Sequence, residues 1–320
     1  MTRILIHNSA TEEMAARLAD AVPEAEIATC NNYQDLPALM RDFKPDVAYS
    51  ICFKGRAGFP RDALLGVDGP KWVSVGGSGV DHLASWDPDV VTVTNSAGVA
   101  APMMAEYVFG TILHFTLDIP GLRADQEESE WRASRLMSPL QGKTMLIVGL
   151  GHTGQAVAAR AKAFGLHVVG TRARPEPMEN VDEVHASGDL QNLWHKADFI
   201  VLSLPLLPTT RHLVNARSFS AMKPSAILVN VSRGGVLDDA ALINAMRTET
   251  IAGAALDVFE TEPLPFDNHI WGLENVIVSP HCSAVYEEWA MQSFELFLTN
   301  LGRWKAGEAL INIVNPERGY

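Results

Sequence analysis

Cysteine is scarce in this chain: Cys30, Cys52 and Cys282 are spread through 320 residues, with no Cys-x-x-Cys pair among them. An odd, scattered set argues against a disulfide framework or a thiolate metal cluster, and predicts reduced thiols in a cytoplasmic protein without a bound metal. Long apolar runs are missing too. The most apolar stretch, Tyr107 to Leu117, carries Thr111, His114 and Thr116 and is too short to cross a bilayer. Nor does the sequence open like a secretory signal, since Arg3-Ile-Leu-Ile-His7 reads at once as a first strand. No membrane partner is expected. Positive charge is in short supply, with 25 Lys and Arg against 38 Asp and Glu, a net charge of −13. Such a mean field repels phosphate, which argues against a nucleic-acid partner while leaving room for one small basic pocket.

Repeats of fixed period and low-complexity tracts are also lacking; strand-like and helix-like segments alternate instead. A length of 320 residues with 47% hydrophobic residues is more than one ordinary core accommodates, and suits two. The first hundred residues hold apolar runs at 3–7, 26–29, 46–51, 72–76 and 90–94, with a helical pattern at Thr11–Ala21 that Thr11 is placed to cap. A helix is predicted from Pro102 to Leu117, then a polar segment at 125–135. Six further β-runs follow at 144–149, 167–171, 199–204, 226–231, 251–258 and 276–279, and a helical stretch from Tyr286 ends in a loose tail. Alternation of this kind predicts α/β architecture with parallel sheets, in two domains.

Gly149, Gly151 and Gly154 form Gly-x-Gly-x-x-Gly between a buried run, Met145–Val148, and an Ala-rich helical pattern, Gln155–Phe164. With the next strand at 167–171 the unit has the length of a dinucleotide-binding βαβ. Gly149 permits a tight turn, Gly151 lets the backbone approach a pyrophosphate, and Gly154 lets helix and strand pack closely. The loop therefore assigns Gly149, Leu150, Gly151, His152, Thr153 and Gly154 to a cofactor. Where an acidic ribose ligand is expected, the second strand ends Thr171-Arg172-Ala-Arg174. A carboxylate there would bind a 2′-hydroxyl; guanidinium groups bind a 2′-phosphate instead, so NADP is expected over NAD.

Three polar residues stand just after strands of the second series: Arg233, Glu262 and His281. A guanidinium can hold a carboxylate or polarise a carbonyl, and an imidazolium can donate a proton. A carboxylate beside that ring keeps it protonated and oriented. Cys282, next to His281, is expected to be a packing residue, and Trp131 to anchor a surface segment. Glu127, Glu128 and Glu130 read as a solvated helix face.

With these residues in view, nearly the whole chain resembles the D-isomer-specific 2-hydroxyacid dehydrogenases. The similarity runs through Gly77-Ser-Gly-Val-Asp-His82, Ala105-Glu-Tyr-Val108, Leu140-Gln-Gly-Lys143 and the glycine loop. It continues with Leu204-Pro-Leu-Leu-Pro-Thr-Thr210, Asn230-Val-Ser-Arg-Gly-Gly235, Asp257-Val-Phe-Glu-Thr-Glu-Pro263 and Ser279-Pro-His281. The resemblance implies a Rossmann cofactor domain, residues 99–285, inserted into a flavodoxin-like substrate domain, residues 1–98 with 286–320. It implies Arg233 as substrate clamp, His281 as acid/base and Glu262 as its partner, with Asp257 beside the nicotinamide carboxamide. Amides around Ser78 and Gly79 would hold the substrate carboxylate, while Leu204, Pro205, Thr210, Val231 and Ser232 would line the cofactor. A homodimer is also implied. Phe59-Pro60-Arg61, Trp72-Val-Ser-Val75 and Ile270-Trp271 look most like the glyoxylate and hydroxypyruvate reductases; Tyr286 departs from relatives that carry Thr. The expected reaction is reduction of a small 2-keto acid to a D-2-hydroxy acid by NAD(P)H. Alternatives are a cofactor-sensing corepressor, or a reductase for larger keto acids such as 2-ketogluconate or phenylpyruvate.

Overall fold

Four- and five-residue runs of Val, Ile, Leu and Ala form strands buried on both faces, which requires helices above and below each sheet. The structure, a computed structural model, describes residues 1–53, 56–83 and 85–319. Its chain forms two compact units, one of residues 1–99 with the segment from Tyr286 onward, the other Ala100–Val285.

In the first unit the chain runs β1 (Arg3–His7), α1 (Thr11–Ala21), β2 (Glu26–Cys30), α2 (Leu36–Phe43), β3 (Val47–Ser50), α3 (Arg61–Leu65), β4 (Trp72–Val75) and β5 (Thr92–Asn95). The strands are parallel in the order β2-β1-β3-β4-β5, that of flavodoxin-like sheets. Ile4, Leu5 and Ile6 are fully buried, as are Met14 and Leu18 of α1. The helix Trp289–Ala306 closes one face: Phe294 and Phe297 lie 5.1 and 5.3 Å from the Tyr49 ring. Trp72 adds a hydrogen bond from Nε1 to Thr94 Oγ1 at 2.9 Å. The expected loose tail is instead docked. The Val314 amide donates to the Val93 carbonyl at 2.8 Å, and Ile313 bridges Thr94, because Val314 has an apolar seat beside β5. Thr11 does not cap α1; it is the first helical residue, and Ala10 stands at the cap without a side-chain bond.

The second unit begins with α4 (Ala101–Thr116) and α5 (Ile119–Glu128). It continues through β6 (Thr144–Val148), α6 (His152–Ala163), β7 (His167–Arg172), β8 (Glu183–Ala186), β9 (Phe199–Leu202), α7 (Ala216–Ala221), β10 (Ile227–Asn230), α8 (Asp239–Arg247), β11 (Gly253–Leu256) and β12 (Val276–Val278). Seven parallel strands lie in the order β12-β11-β10-β9-β6-β7-β8, a Rossmann sheet with one strand added at the far edge. The sequence predicts six. It misses β8, Glu-Val-His-Ala, because an edge strand that is half-buried throughout carries no apolar run to announce it. The supposed polar connection begins inside a helix: α5 extends to Glu128, and Arg135 pairs with both Asp118 and Asp125. Trp131 is 95% exposed, so it is not packed as an anchor against the described residues. No helix among the described residues is long and apolar enough to cross a membrane, and no cluster of three metal-ligating side chains occurs among them.

Candidate functional site

The carboxyl ends of β6, β7, β9, β10, β11 and β12 carry the loops in which the second unit's predicted residues stand. The turn after β6 begins at Gly149, whose φ of 102° is closed to most side chains. Its amide and that of Leu150 donate to the Thr171 carbonyl at 3.1 and 3.2 Å, pinning the loop to β7. Ser203 Oγ donates to the Gly149 carbonyl at 2.7 Å, pinning it to β9 as well. A Cβ on Gly154 would strike that same carbonyl and lie 3.2 Å from Ile147, so this glycine sets the approach of α6 to the sheet. Gly151 is different. It stands at the N-cap of α6, and a Cβ there would meet no atom within 4 Å. Packing does not explain this glycine; open space above a helix N-terminus fits a phosphate group. His152 is exposed and Thr153 half-buried in the first turn.

Thr171 is buried at the end of β7. Arg172 lies beside Met178, its Nη1 3.2 Å from the sulfur, and Arg174 is exposed two residues on. Among the described residues neither guanidinium pairs with a carboxylate. After β9, Thr210 Oγ1 donates to the Pro205 carbonyl at 2.7 Å and accepts the Leu207 amide, fixing the Leu204–Thr210 turn.

Three loops meet around the charged residues. Asn230, fully buried at the end of β10, accepts the Ser232 amide and hydroxyl at 3.0 and 2.7 Å. That turn brings out Arg233 after buried Val231, with Nη1 donating to the Ser232 carbonyl at 2.7 Å. Gly234 then lies so close to the next loop that a Cβ would overlap the Phe259 main chain. Glu262 accepts the Phe259 amide on Oε1 at 3.0 Å, and its Oε2 lies 2.8 Å from His281 Nδ1. Burial pushes the Glu262 carboxyl up. The hydrogen bonds from His281 and the Phe259 amide, with the charges of His281 and Arg233, outweigh that and hold it below the usual range. Since a carboxylate only accepts, Nδ1 bears the proton toward Glu262, and Nε2 is the ring nitrogen that does not face that carboxylate.

His281 itself has φ 53°, a left-handed conformation that costs a side-chain-bearing residue about 1–2 kcal/mol. Asp257, 1% exposed, holds it there. Its carbonyl accepts the His281 amide at 2.8 Å, while Oδ1 and Oδ2 accept the Cys282 and Ser283 amides at 2.8 and 3.0 Å. Cys282 is exposed, so it is not a packing residue. The extended segment assumed for it is a turn, and its amide is what the turn uses. Sequence reasoning missed Tyr107 and Ser279, which join this network; Ala105-Glu-Tyr-Val108 marked the place without giving the tyrosine a role. Ser78 and Gly79 belong to the first unit, in the loop after β4, where Asn95 Nδ2 donates to the Ser78 carbonyl at 2.7 Å.

Gly234→Ala tests how tightly the loops after β10 and β11 are joined. The added methyl meets backbone, which cannot rotate away, so the variant is expected to lose about 1–3 kcal/mol of stability. In a thermal melt that is a drop of about 2–12 °C, and an unchanged Tm would show that the loops are free to part.

Residues 109–283 match the family model described as the NAD binding domain of D-isomer specific 2-hydroxyacid dehydrogenases. The chain is 36% identical over 237 residues to a glyoxylate reductase of Thermococcus litoralis, covering 71% of each protein. It is 33% identical over 320 residues to a D-3-phosphoglycerate dehydrogenase of Methanocaldococcus jannaschii, matching 98% of this chain but spanning only 60% of that longer protein. Among solved structures, an NADPH-dependent glyoxylate/hydroxypyruvate reductase from Sinorhizobium meliloti, in complex with NADP and sulfate, superposes with a TM-score of 0.82 at 27% identity. That match covers 100% of both chains.

Proposed function

The chain belongs to the D-isomer-specific 2-hydroxyacid dehydrogenase family, and from that membership we propose that it reduces glyoxylate or hydroxypyruvate to the D-2-hydroxy acid with NADPH. The observation that carries this reading is the 2.8 Å His281–Glu262 pair, which joins the loops after β12 and β11, the latter packed against the loop bearing Arg233. Family members are NAD(P)-dependent oxidoreductases; the nicotinamide, when bound, supplies the hydride. The chain does the rest. Arg233 holds the substrate carboxylate and the carbonyl oxygen, drawing electron density toward that oxygen. His281 Nε2 passes its proton to the oxygen as negative charge develops, and Glu262 stabilises the imidazolium beforehand. The glycine loop and the first-turn amides of α6 are assigned to the pyrophosphate, Asp257 to the carboxamide, and Leu204, Pro205, Thr210, Val231 and Ser232 to the surrounding walls. A homodimer is part of the proposal, checked by sedimentation.

Steady-state reduction of glyoxylate, hydroxypyruvate, 2-ketogluconate and phenylpyruvate tests the assignment. Turnover confined to the two larger acids would move the substrate class, and none with any of the four would overturn the reading.

Cofactor choice gives a second test. Arg172 and Arg174 offer one or two charge-assisted bonds to a 2′-phosphate, each worth about 1.5–3 kcal/mol. NADPH is therefore expected to exceed NADH in kcat/KM by about tenfold to a thousandfold, less at high salt because the pair is near solvent. Arg172→Asp should swing the ratio toward NADH. Equal constants in the parent would mean the pair serves no ligand.

A further inference from the structure

The turn that carries His281 is braced from beneath by a chain of three side chains in the second unit. Tyr107 lies on α4 with its hydroxyl 2.8 Å from Ser279 Oγ, and Ser279 Oγ donates to Asp257 Oδ1 at 2.6 Å. The proton positions follow from chemistry. A carboxylate has no proton to give, so the serine's only proton goes to Asp257. The same oxygen must then accept from Tyr107. Burial pushes the Tyr107 phenol up to about 12, so it stays a donor across the neutral range. Its helix is a firm base, with Ala105, Val108, Phe109 and Ile112 in the core of this unit. Asp257, fed by this chain, grips the amides of residues 281–283 and holds His281 in its left-handed conformation. The charged and titratable groups bearing on the turn are Glu262 at the imidazole, Arg233 at the Glu262 carboxyl, and Asp257 and Cys282 at the phenol.

We infer that Tyr107 is a positioning residue for proton transfer: through Ser279 and Asp257 it fixes the turn that sets His281 against Glu262. The kinetic part rests on the reaction proposed above; the structural part needs no substrate.

Tyr107→Phe keeps the ring and removes one hydroxyl. In the full-length variant, kcat for glyoxylate reduction is expected to fall about threefold to tenfold, the worth of one neutral hydrogen bond, with KM for NADPH and glyoxylate unchanged. The acid side of the kcat profile should move to higher pH, since a looser turn weakens the His281 hydrogen bond that helps hold the Glu262 carboxyl below its usual range. Amide hydrogen exchange in the free protein should quicken in a peptide covering 279–285 and stay the same elsewhere. Ser279→Ala should reproduce all three changes, Ser279→Thr should retain parent behaviour, and the double variant Tyr107→Phe/Ser279→Ala should be no worse than Ser279→Ala. If Tyr107→Phe does not fold, the Ala and Thr variants at Ser279 carry the comparison. Parent-like exchange and pH profile in the Phe variant, or in Ser279→Ala, would overturn the inference; so would multiplicative losses in the double variant. Absence of turnover in the parent would instead sink the proposed reaction, and the exchange measurement would still decide the role of Tyr107.

Discussion

Replacing His281 by Ala is expected to lower kcat for keto-acid reduction by about 10²–10⁴-fold, the usual worth of a positioned proton donor. Reduction places negative charge on the former carbonyl oxygen, and without a donor that charge must be met by solvent. His281 is proposed for this task because Nδ1 is engaged by Glu262 at 2.8 Å and the backbone is held by Asp257. Cofactor affinity should persist, since the glycine loop follows β6 while His281 follows β12. Glu262→Gln should act differently. It keeps a polar partner for Nδ1 but removes the carboxylate charge, so kcat should fall part of the way rather than vanish. Near-normal turnover in the His281 variant, measured with saturating NADPH and glyoxylate, would remove the histidine from the chemistry.

The second large effect concerns Arg233. Its guanidinium is proposed to make two charge-assisted bonds to the keto acid, each worth about 1.5–3 kcal/mol. Arg233→Ala should therefore cost about 10²–10⁴-fold in kcat/KM. Lys restores the charge without the planar fork, so Arg233→Lys should recover only part, leaving KM raised by about one to two decades. A structural role predicts something else: Nη1 also donates to the Ser232 carbonyl, and losing that bond alone would lower Tm and spare kcat/KM. A Lys variant that binds keto acid as well as the parent would assign Arg233 to the fold.

Much of this was written in one dimension. The βαβ unit around Gly149 was legible because a buried run, a spaced set of glycines and an Ala-rich helix each obey local rules, and local rules survive folding. The same holds for α1 and for all six strands predicted in the second unit, whose apolar residues carry their own signal. Edge strand β8 carried none and escaped. The docked tail escaped too, because Ile313 and Val314 acquire meaning only when β5 lies beside them.

The chemistry divides along the same line. Residue types after strand ends named Arg233, Glu262 and His281, since parallel sheets gather their carboxyl ends on one side whatever the rest of the chain does. Sequence could not supply the left-handed turn at His281, the grip of Asp257 on three successive amides, or the path from Tyr107 through Ser279. Those contacts join residues 22 to 172 positions apart, and a hydrogen bond depends on distances of a few tenths of an ångström. The sequence by itself determined which elements form and which residue types reach the strand ends. Tertiary structure alone decided which proton points where, because that depends on neighbours the chain meets only after it has folded.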